Sequence, residues 1–264
     1  MSEKPSLRVR MAISSDRRFK QALNGLRAVH QGLWLGLLDP DDLAAANTAA
    51  YERWEQFRDD DYNRSGLAEW ESDAVEGHFP AGSSVLVPSA GAGRELIGLE
   101  DLGFQATGFD PSPALIQVGE NLLSERGSTA SLLLSPPDRI PADLDGPFDA
   151  ILFGWGGYIH IRNRAARVAF LSDLRILVDT NAPMIISFFL RSPDDRTFTA
   201  SEKIATTIRK VRRSREPVEL GDTVAGTFDH FFTWSEIETE LTDGGFSVVA
   251  TSDTPYPHLA CRAV

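Results

Sequence analysis

The sequence predicts an α/β fold in which a doubly wound, mostly parallel sheet of seven strands follows a cap of helices. Three observations predict it. From Ser84 onward, short β-rich runs alternate with helical segments, and this alternation is typical of a parallel sheet. Before that point, apolar residues recur at helical spacing. The last two β-rich runs follow a helix and lie close together, so they are expected to pair antiparallel at one edge of the sheet.

Residues 1–80 are expected to form the N-terminal helical cap. Its first helix is predicted over residues 16–38, where apolar side chains recur at intervals of three, four and seven. A second helix is expected to begin just after Pro40 and to run to Trp54. A charged connector over residues 58–64 then separates it from a short third helix. The apolar residues that indicate the first helix are Phe19, Leu23, Leu26, Leu33 and Leu37.

The remaining residues, 81–264, are expected to form the sheet domain. Five β-rich runs predict its parallel strands, and helical segments lie between them. Thr233 and Glu236 fit a capping box that opens a further helix before the terminal strand pair. The predicted strands are Val85–Val87, Ala106–Phe109, Ser131–Leu134, Ala150–Phe153 and Met184–Leu190, followed by Phe246–Ala250 and Leu259–Ala263, and the predicted helices lie near 94–102, 113–126 and 162–178.

Residues 191–232 interrupt the alternation and are predicted to form an insertion that serves as a substrate lid. They contain a polar loop, a basic helix near 200–213 and a hairpin around Gly221 and Asp222. The run Arg209–Arg215 contains five basic residues in seven. Two interpretations of this run stay open. It is either a solvated helix face or a site that recognises an anionic group such as a carboxylate or phosphate.

Composition narrows the functional classes. Of the 264 residues 42% are hydrophobic, which is enough for a sizeable core. The formal net charge of −12 repels nucleic-acid backbones and anionic lipids, so neither is expected as a partner. The single cysteine, Cys261, excludes an intrachain disulfide, and the five histidines lie far apart, so no metal is expected. No stretch reaches the ~20 apolar residues of a membrane helix, and a cytoplasmic protein without a membrane partner is expected.

A glycine-rich loop follows the first predicted strand directly. The chain passes from that strand into Ser89-Ala-Gly-Ala-Gly93 and then at once into a helix. Small residues let the backbone approach a ligand closely, and a helix N-terminus offers free N–H groups. Asp110 lies 17 residues after Gly93, at the tip of the second strand. An acidic side chain there can accept both ribose hydroxyls of a bound nucleoside.

Two ligand classes use this geometry, the dinucleotides and S-adenosylmethionine. The dinucleotide fingerprint has a third glycine that allows close packing of helix on sheet, and Leu96 stands at its position here. This departure disfavours NAD and FAD. The antiparallel strand pair expected at the end of the chain also favours S-adenosylmethionine over a dinucleotide.

The segment VLVPSAGAGRELIGLEDLGFQATGFDPSPALI resembles motif I and the following acidic loop of the class I S-adenosylmethionine-dependent methyltransferases, which have a Rossmann-like fold. It is most similar to the branch that reads VLVPG-x-G-x-G-R. Gly91 and Gly93 match the last two glycines of that pattern, and Ser89 stands at the first. Val87 stands where many members have an acidic residue that binds the amino-acid end of the cofactor. The resemblance therefore implies S-adenosylmethionine as cofactor and S-adenosylhomocysteine as product, with another residue binding the ammonium group.

The resemblance extends to two further loops. The segment FDAILFGWGGYIH, residues 148–160, resembles motif IV, whose end faces the methyl donor, and Asp138 follows the third strand where the family contacts adenine. Asp138 is otherwise a helix cap or loop carboxylate, and Trp155 is otherwise a core residue. The residues predicted to bind the cofactor are Pro88, Ser89, Ala90, Gly91, Gly93, Asp110, Pro111, Asp138, Gly154 and Trp155.

Three residues are candidates for a catalytic base. His160 and His230 are the imidazoles expected near the active face, and Tyr158 lies in the motif IV segment. A structural residue whose hydrogen bonds are satisfied is the commoner case for such side chains. Methyl transfer depends mainly on positioning the acceptor, so the sequence of such an enzyme need not contain an obvious catalytic group.

The sequence thus predicts methyl transfer from S-adenosylmethionine to a small molecule or a short peptide, with oxygen or nitrogen as the acceptor atom. Two alternatives stay open. One is an NAD-dependent oxidoreductase. The other is a non-catalytic protein that keeps the fold and partners a true enzyme, which the residues at Val87 and Ser89 make conceivable. The acceptor, the use of a base and the oligomeric state stay undetermined at this level.

Overall fold

The computed structural model describes residues 6–264, and its main sheet has seven strands. The order is β3-β2-β1-β4-β5-β10-β9, with β1 to β5 parallel and β10 antiparallel to both of its neighbours. This confirms the predicted doubly wound sheet with a terminal antiparallel pair. The strands are β1 (Ser84–Pro88), β2 (Gln105–Asp110), β3 (Ser131–Leu134), β4 (Ala150–Phe153), β5 (Pro183–Ser187), β6 (Phe189–Leu190), β7 (Asp222–Val224), β8 (Phe228–Phe232), β9 (Phe246–Ser252) and β10 (His258–Ala263).

Helices cover both faces of the sheet. On one face α4, α5 and α6 pack against β1 and β2, and on the other face α7 and α9 pack over β4 and β5. Two apolar clusters fill these layers. The α-helices are α1 (Leu7–Leu37), α2 (Pro40–Arg53), α3 (Asp60–Arg64), α4 (Glu69–His78), α5 (Arg94–Asp101), α6 (Pro113–Arg126), α7 (Arg164–Ile176), α8 (Arg196–Arg212) and α9 (Trp234–Asp243), with 3₁₀ turns at Glu55–Arg58 and Gly157–His160. No helix in residues 6–264 is long and apolar enough to span a membrane.

Two predicted helix boundaries are wrong. The first helix begins at Leu7 rather than at residue 16, because the Ser6 hydroxyl accepts from the Val9 amide and caps the helix there. The charged connector contains the short helix α3, because the Asp59 carboxylate caps it by accepting from the Tyr62 amide at 2.8 Å.

The predicted strand Met184–Leu190 is divided between two sheets. Its first part is β5, and its last two residues form β6, which pairs with β8 in a second sheet of order β6-β8-β7. The division falls at Phe188. Its side chain is fully buried and its backbone amide donates to the Pro257 carbonyl, so the chain leaves β5 at this residue. The hairpin β7–β8 turns at residues 225–227 rather than at Gly221 and Asp222, because Gly226 supplies the positive φ of 100°.

The N-terminal helices and the insertion share a third apolar cluster. It consists of side chains from α1, α2, α8, β7 and β8, namely Leu35, Leu43, Ala205, Val224 and Phe228. α1 and α8 run in the same direction and approach closely at Gly32 and Gly36. A Cβ at Gly32 would lie 2.6 Å from the Ser201 carbonyl oxygen, and a Cβ at Gly36 would lie 2.7 Å from Ile208 Cβ. Only glycine permits this approach.

The basic run after residue 208 has a structural role in this contact. Arg209 is buried and donates to the Leu35 carbonyl at 2.9 Å, while Arg212 donates to the Gly36 and Leu37 carbonyls at 3.1 and 2.5 Å. The last carbonyls of a helix have no partner within the helix, so these guanidinium groups satisfy the end of α1.

The close approach at Gly32 predicts a stability effect. Gly32→Ala should lower the free energy of unfolding by about 1–3 kcal/mol, because the new methyl group collides with the backbone of α8. Gly25→Ala in the same helix is the matched control. A Cβ there meets no atom within 4 Å, so this change should be neutral or stabilising by up to about 1 kcal/mol through helix propensity. Urea unfolding measures both, and equal effects would contradict the packing.

Candidate active site

A large cavity lies at the carboxyl ends of β1, β2, β3 and β4. It has a volume of about 1180 Å³ including its open mouth, and the segment 44–63 of the cap closes it from above. Ligands of open parallel sheets bind at this edge, where the strand order reverses between β1 and β4.

The predicted cofactor residues converge on this cavity with two exceptions. Pro88 is buried at the end of β1, and Gly93 caps α5 with a φ of 85° and faces Leu96 and Leu123. Both shape the loop from behind without lining the cavity. The residues that line it are Ser89, Ala90, Gly91, Asp110, Pro111, Asp138, Gly154 and Trp155.

Asp110 is buried at the tip of β2 and holds two loops. One carboxylate oxygen accepts from the Gly91 amide at 2.9 Å, and the other accepts from the Ser112 amide at 2.8 Å. Burial raises the pKa of Asp110 to about 6, although the two amide donors act in the opposite direction. A carboxylate has about four acceptor sites, so Asp110 retains capacity for hydroxyl donors from the cavity.

The glycine loop owes its shape to left-handed backbone. Gly91 has a φ of 55°, and a Cβ there would meet no protein atom closer than 3.9 Å. Its need for glycine therefore comes from the backbone conformation and not from the surrounding protein. Ser89 adopts a φ of 54° without being glycine, which stores strain at a residue that lines the cavity.

A buried ionic cluster borders the cavity beside Gly154. Arg94 pairs with Glu71 at 2.9 Å and with Glu95 at 2.6 Å, and it also donates to the Gly66 carbonyl. Burial, together with the charge of Glu95, raises the pKa of Glu71 to about 7 despite the nearby guanidinium. Two carboxylates share one cation here, so the cluster has one negative charge in excess when both are ionised.

This cluster was not identified from the sequence as functional. Arg94 and Glu95 follow the glycine loop directly, so their position was a usable signal. Glu71 lies 23 residues before Arg94 on α4, and nothing in the local pattern indicates that contact. The guanidinium also lies 5.5 Å from the Trp155 ring centre and 5.8 Å from that of Tyr62, which encloses the cluster with aromatic rings.

His160 lies at the cavity wall between the cap and the insertion. Its Nδ1 is 3.0 Å from the Phe228 carbonyl and 3.1 Å from an Asp229 carboxylate oxygen, and its Nε2 is 2.6 Å from the Tyr51 hydroxyl. A carbonyl can only accept a hydrogen bond, so Nδ1 has a proton, and Nε2 is the atom placed to accept from Tyr51. Burial, with the negative charges of Asp229 and Asp110, raises the pKa of Tyr51 well above its ordinary value. Tyr51 therefore stays protonated and donates to His160.

The other two candidates for a base lie away from the cavity. Tyr158 is fully buried and donates to Glu240 at 2.8 Å. His230 is buried and its Nδ1 lies 2.7 Å from Asp222. Both belong to a network around Arg167, which pairs with Glu219 and Glu240. The His230 side chain faces this network because side chains alternate along β8, so that Asp229 and His230 point to opposite sides.

One cluster in the network has the donors of a metal site. Ligand atoms of Glu219, Asp222 and His230 all lie within 4.8 Å of one another. Arg167 already neutralises Glu219 at 2.8 Å, and Asp222 is engaged by His230 and by the Glu219 amide. The three residues therefore have mutual partners that account for their proximity.

Several solved structures similar to this chain are described as methyltransferases. One from Methanosarcina mazei, described as S-adenosylmethionine-dependent, has a TM-score of 0.58 at 15% identity and covers 75% of this chain and 99% of its own. The 1,6-didemethyltoxoflavin-N1-methyltransferase of Burkholderia thailandensis has a TM-score of 0.59 at 18% identity and covers 86% and 92%. An amino pentose methyltransferase from Micromonospora echinaspora has a TM-score of 0.55 at 13% identity and covers 77% and 94%.

No protein-family model and no curated protein sequence matches this chain. At identities of 13–18% the structural likeness establishes the fold. This chain has the Rossmann-like fold of the class I S-adenosylmethionine-dependent methyltransferases.

Proposed function

We propose that the chain is a methyltransferase that uses S-adenosylmethionine and acts on a small molecule or short peptide, with oxygen or nitrogen as the acceptor atom. The observation that supports this most is Asp110, a buried carboxylate with unused acceptor capacity beside a glycine loop at the cavity. The Burkholderia protein was solved with S-adenosylhomocysteine and 1,6-didemethyltoxoflavin, and the Micromonospora protein with S-adenosylmethionine.

In this proposal each part of the cofactor has its own residues. Asp110 accepts from the ribose hydroxyls, and the backbone of Ser89 to Gly91 lies alongside the cofactor. Asp138 accepts from the adenine amine, although it also pairs with Arg162 at 3.4 Å. Burial raises the pKa of Asp138, while Arg162 opposes that shift. Gly154 and Trp155 border the amino-acid end, near the ionic cluster.

Glu95 is proposed as the residue that replaces the missing acid at Val87. Val87 is buried and apolar, so it cannot bind an ammonium group. Glu95 lines the cavity, and the cluster of Glu71, Arg94 and Glu95 has an excess negative charge. An ammonium group would balance that charge, whereas in its absence the repulsion contributes to the raised pKa of Glu71.

The alternatives fit less well. In a dinucleotide site the third glycine lets the helix approach the sheet, but here Leu96 is fully buried and Gly108 on β2 provides the space instead. A non-catalytic role was suggested by Val87 and Ser89. Glu95 supplies the carboxylate that Val87 lacks. Ser89 still adopts the left-handed φ that a glycine would favour. The proposed domain organisation is a helical cap over residues 1–80 and a sheet domain over residues 81–264, with residues 191–232 as a substrate-lid insertion.

Proton removal from the acceptor is proposed to use Tyr51, His160 and Asp229. S-adenosylmethionine, when bound, supplies a methyl group on a sulfonium. Tyr51 lines the cavity and accepts the acceptor's proton as its own proton moves to His160 Nε2. The resulting imidazolium is stabilised by Asp229 at Nδ1, and the Phe228 carbonyl holds the ring in place. The cap segment over the cavity excludes water.

Asp110 is tested by calorimetry with S-adenosylmethionine, NAD and 5′-methylthioadenosine, which keeps the ribose and lacks the amino-acid part. Asp110→Asn should weaken S-adenosylmethionine and methylthioadenosine alike by ~1.5–3 kcal/mol, because a charged acceptor of the ribose hydroxyls is lost. Methylthioadenosine affinity in the unmodified chain should fall as the pH drops through about 6, since Asp110 becomes protonated. Unchanged affinity in the variant, or preference for NAD, would refute the assignment.

Glu95 is tested with the same ligands. Glu95→Gln should weaken S-adenosylmethionine by about 10- to 100-fold, because the ammonium group loses a charged partner. Methylthioadenosine should bind as before, since it has no ammonium group. If both ligands weaken equally, Glu95 only maintains the site through Arg94, and the ammonium assignment fails while the cofactor assignment stands.

The proton relay is tested by turnover, measured as S-adenosylhomocysteine formed with phenols and amines from an acceptor screen. His160→Gln and Tyr51→Phe should each lower turnover by ~10²–10⁴-fold while cofactor affinity persists. His78→Gln at the end of α4, outside the cavity lining, is the control and should leave turnover unchanged. Full turnover in both site variants would mean catalysis by positioning alone.

A further inference from the structure

Much of α1 extends beyond the rest of the protein. Every residue from 6 to 27 is exposed, and the first buried residue is Ala28. The overhang arises because α1 packs against α8, whose first residue is Arg196, and α1 continues beyond that end. At 1.5 Å per residue the exposed part of α1 is about 30 Å long.

Five of the exposed large apolar residues of α1 form one seam, whereas Leu7, Val9, Met11, Ile13, Val29 and Trp34 are exposed outside it. The seam residues follow intervals of four and three, with His30 at the one polar position among six. This average period of 3.5 residues is the pattern of a coiled-coil interface. The apolar seam residues and their exposed fractions are Phe19 (64%), Leu23 (48%), Leu26 (67%), Leu33 (41%) and Leu37 (39%).

The seam lies opposite the face that packs within the chain. The buried residues of α1 toward α8 are Ala28, Gln31, Gly32, Leu35 and Gly36. Seam positions precede or follow Ala28, Gln31, Gly32 and Leu35 by two positions, which is about half a turn around a helix. α1 therefore uses one face for α8 and leaves the other without a partner in residues 6–264.

A helix gains most of its stability in water from tertiary packing, and contiguous apolar patches on surfaces usually mark interfaces. Elsewhere in the described chain the exposed large apolar side chains stand singly, as at Leu102, Ile176, Val211 and Val249. None of them forms a second seam. Within residues 6–264, the surface that matches the seam in length and spacing is the seam itself, which α1 of a second copy would present.

We propose that the chain forms a homodimer in which the α1 seams of two copies pack against each other as a coiled coil. A symmetric dimer uses the same patch on both subunits, which the seam satisfies. Residues 7–27 contain six basic side chains and one acidic one, and Lys20 and Arg27 flank the seam. Pairing brings these like charges together, so the dimer should tighten as salt screens their repulsion.

The dimer is tested by sedimentation equilibrium of the full chain over a concentration series. The unmodified chain should sediment at about twice its mass of 29.0 kDa. Leu23→Ser with Leu26→Ser should raise the dimer dissociation constant by about 100-fold or more, because four leucines per dimer leave the interface. Ile176→Ser with Val211→Ser is the matched control, since both side chains are about 80% exposed away from the seam and should leave the dimer unchanged.

Cysteine cross-linking provides a second measurement. The native cysteine, Cys261, is buried, so new cysteines at residues 23 and 26 report on the seam alone. Leu23→Cys with Leu26→Cys should give a covalent dimer on oxidation. Both seam variants replace exposed side chains and should keep the circular dichroism and methylthioadenosine affinity of the unmodified chain, which separates dimerisation from the proposed function.

Three results would overturn the dimer. The first is a monomer at all concentrations and salt levels. The second is a dimer that the serine substitutions leave intact. The third is binding to vesicles of mixed phosphatidylglycerol and phosphatidylcholine that weakens with salt and needs Leu23 and Leu26, which would assign the basic helix to an anionic membrane surface.

Discussion

Asp110 is a carboxylate that folding removes from water, and the loops around it are arranged to compensate. Its two oxygens accept from the Gly91 and Ser112 amides, so one side chain ties the loop after β1 to the loop after β2. The glycine loop and the start of α5 depend on this connection for their position at the cavity. Because a buried carboxylate with two amide donors keeps unused acceptor capacity, the group that shapes the loops also provides a binding site for hydroxyl donors.

Two buried arginines perform parallel tasks on opposite faces of the sheet. Arg94 joins α4 of the cap to α5 through Glu71 and Glu95, and Arg167 on α7 joins the insertion and α9 through Glu219 and Glu240. Each arginine compensates two carboxylates, and removing either would leave buried charges uncompensated at a cost of about 3–5 kcal/mol. The clusters differ in access. That of Arg94 borders the cavity and is open to a cationic ligand, whereas that of Arg167 is closed by Tyr158 and His230.

The cap and the insertion behave as one unit above the sheet. They share an apolar cluster, and the carbonyls at the end of α1 are satisfied by Arg209 and Arg212 of α8. The same unit reaches the cavity through the bond from Tyr51 to His160, whose other nitrogen contacts Phe228 and Asp229. A contact that fixes α1 in a second copy would therefore also steady the wall that holds His160. Dimerisation and site geometry are linked through one small core.

The sequence by itself determined the strands and helices, the doubly wound sheet, and the presence of Asp110 and the glycine loop at one edge. These features depend on periodicity and on spacing along the chain, which the sequence records directly. Only the tertiary structure decided which side chains meet. Tyr51 and His160 are 109 residues apart, and Glu71 reaches Arg94 across 23 residues. In the tertiary structure Tyr158 and His230 face away from the cavity, and Arg209 and Arg212 of the basic run donate to the last carbonyls of α1. A helical period shows which face is apolar, but not what that face covers, because docking is set by contacts that no local pattern encodes.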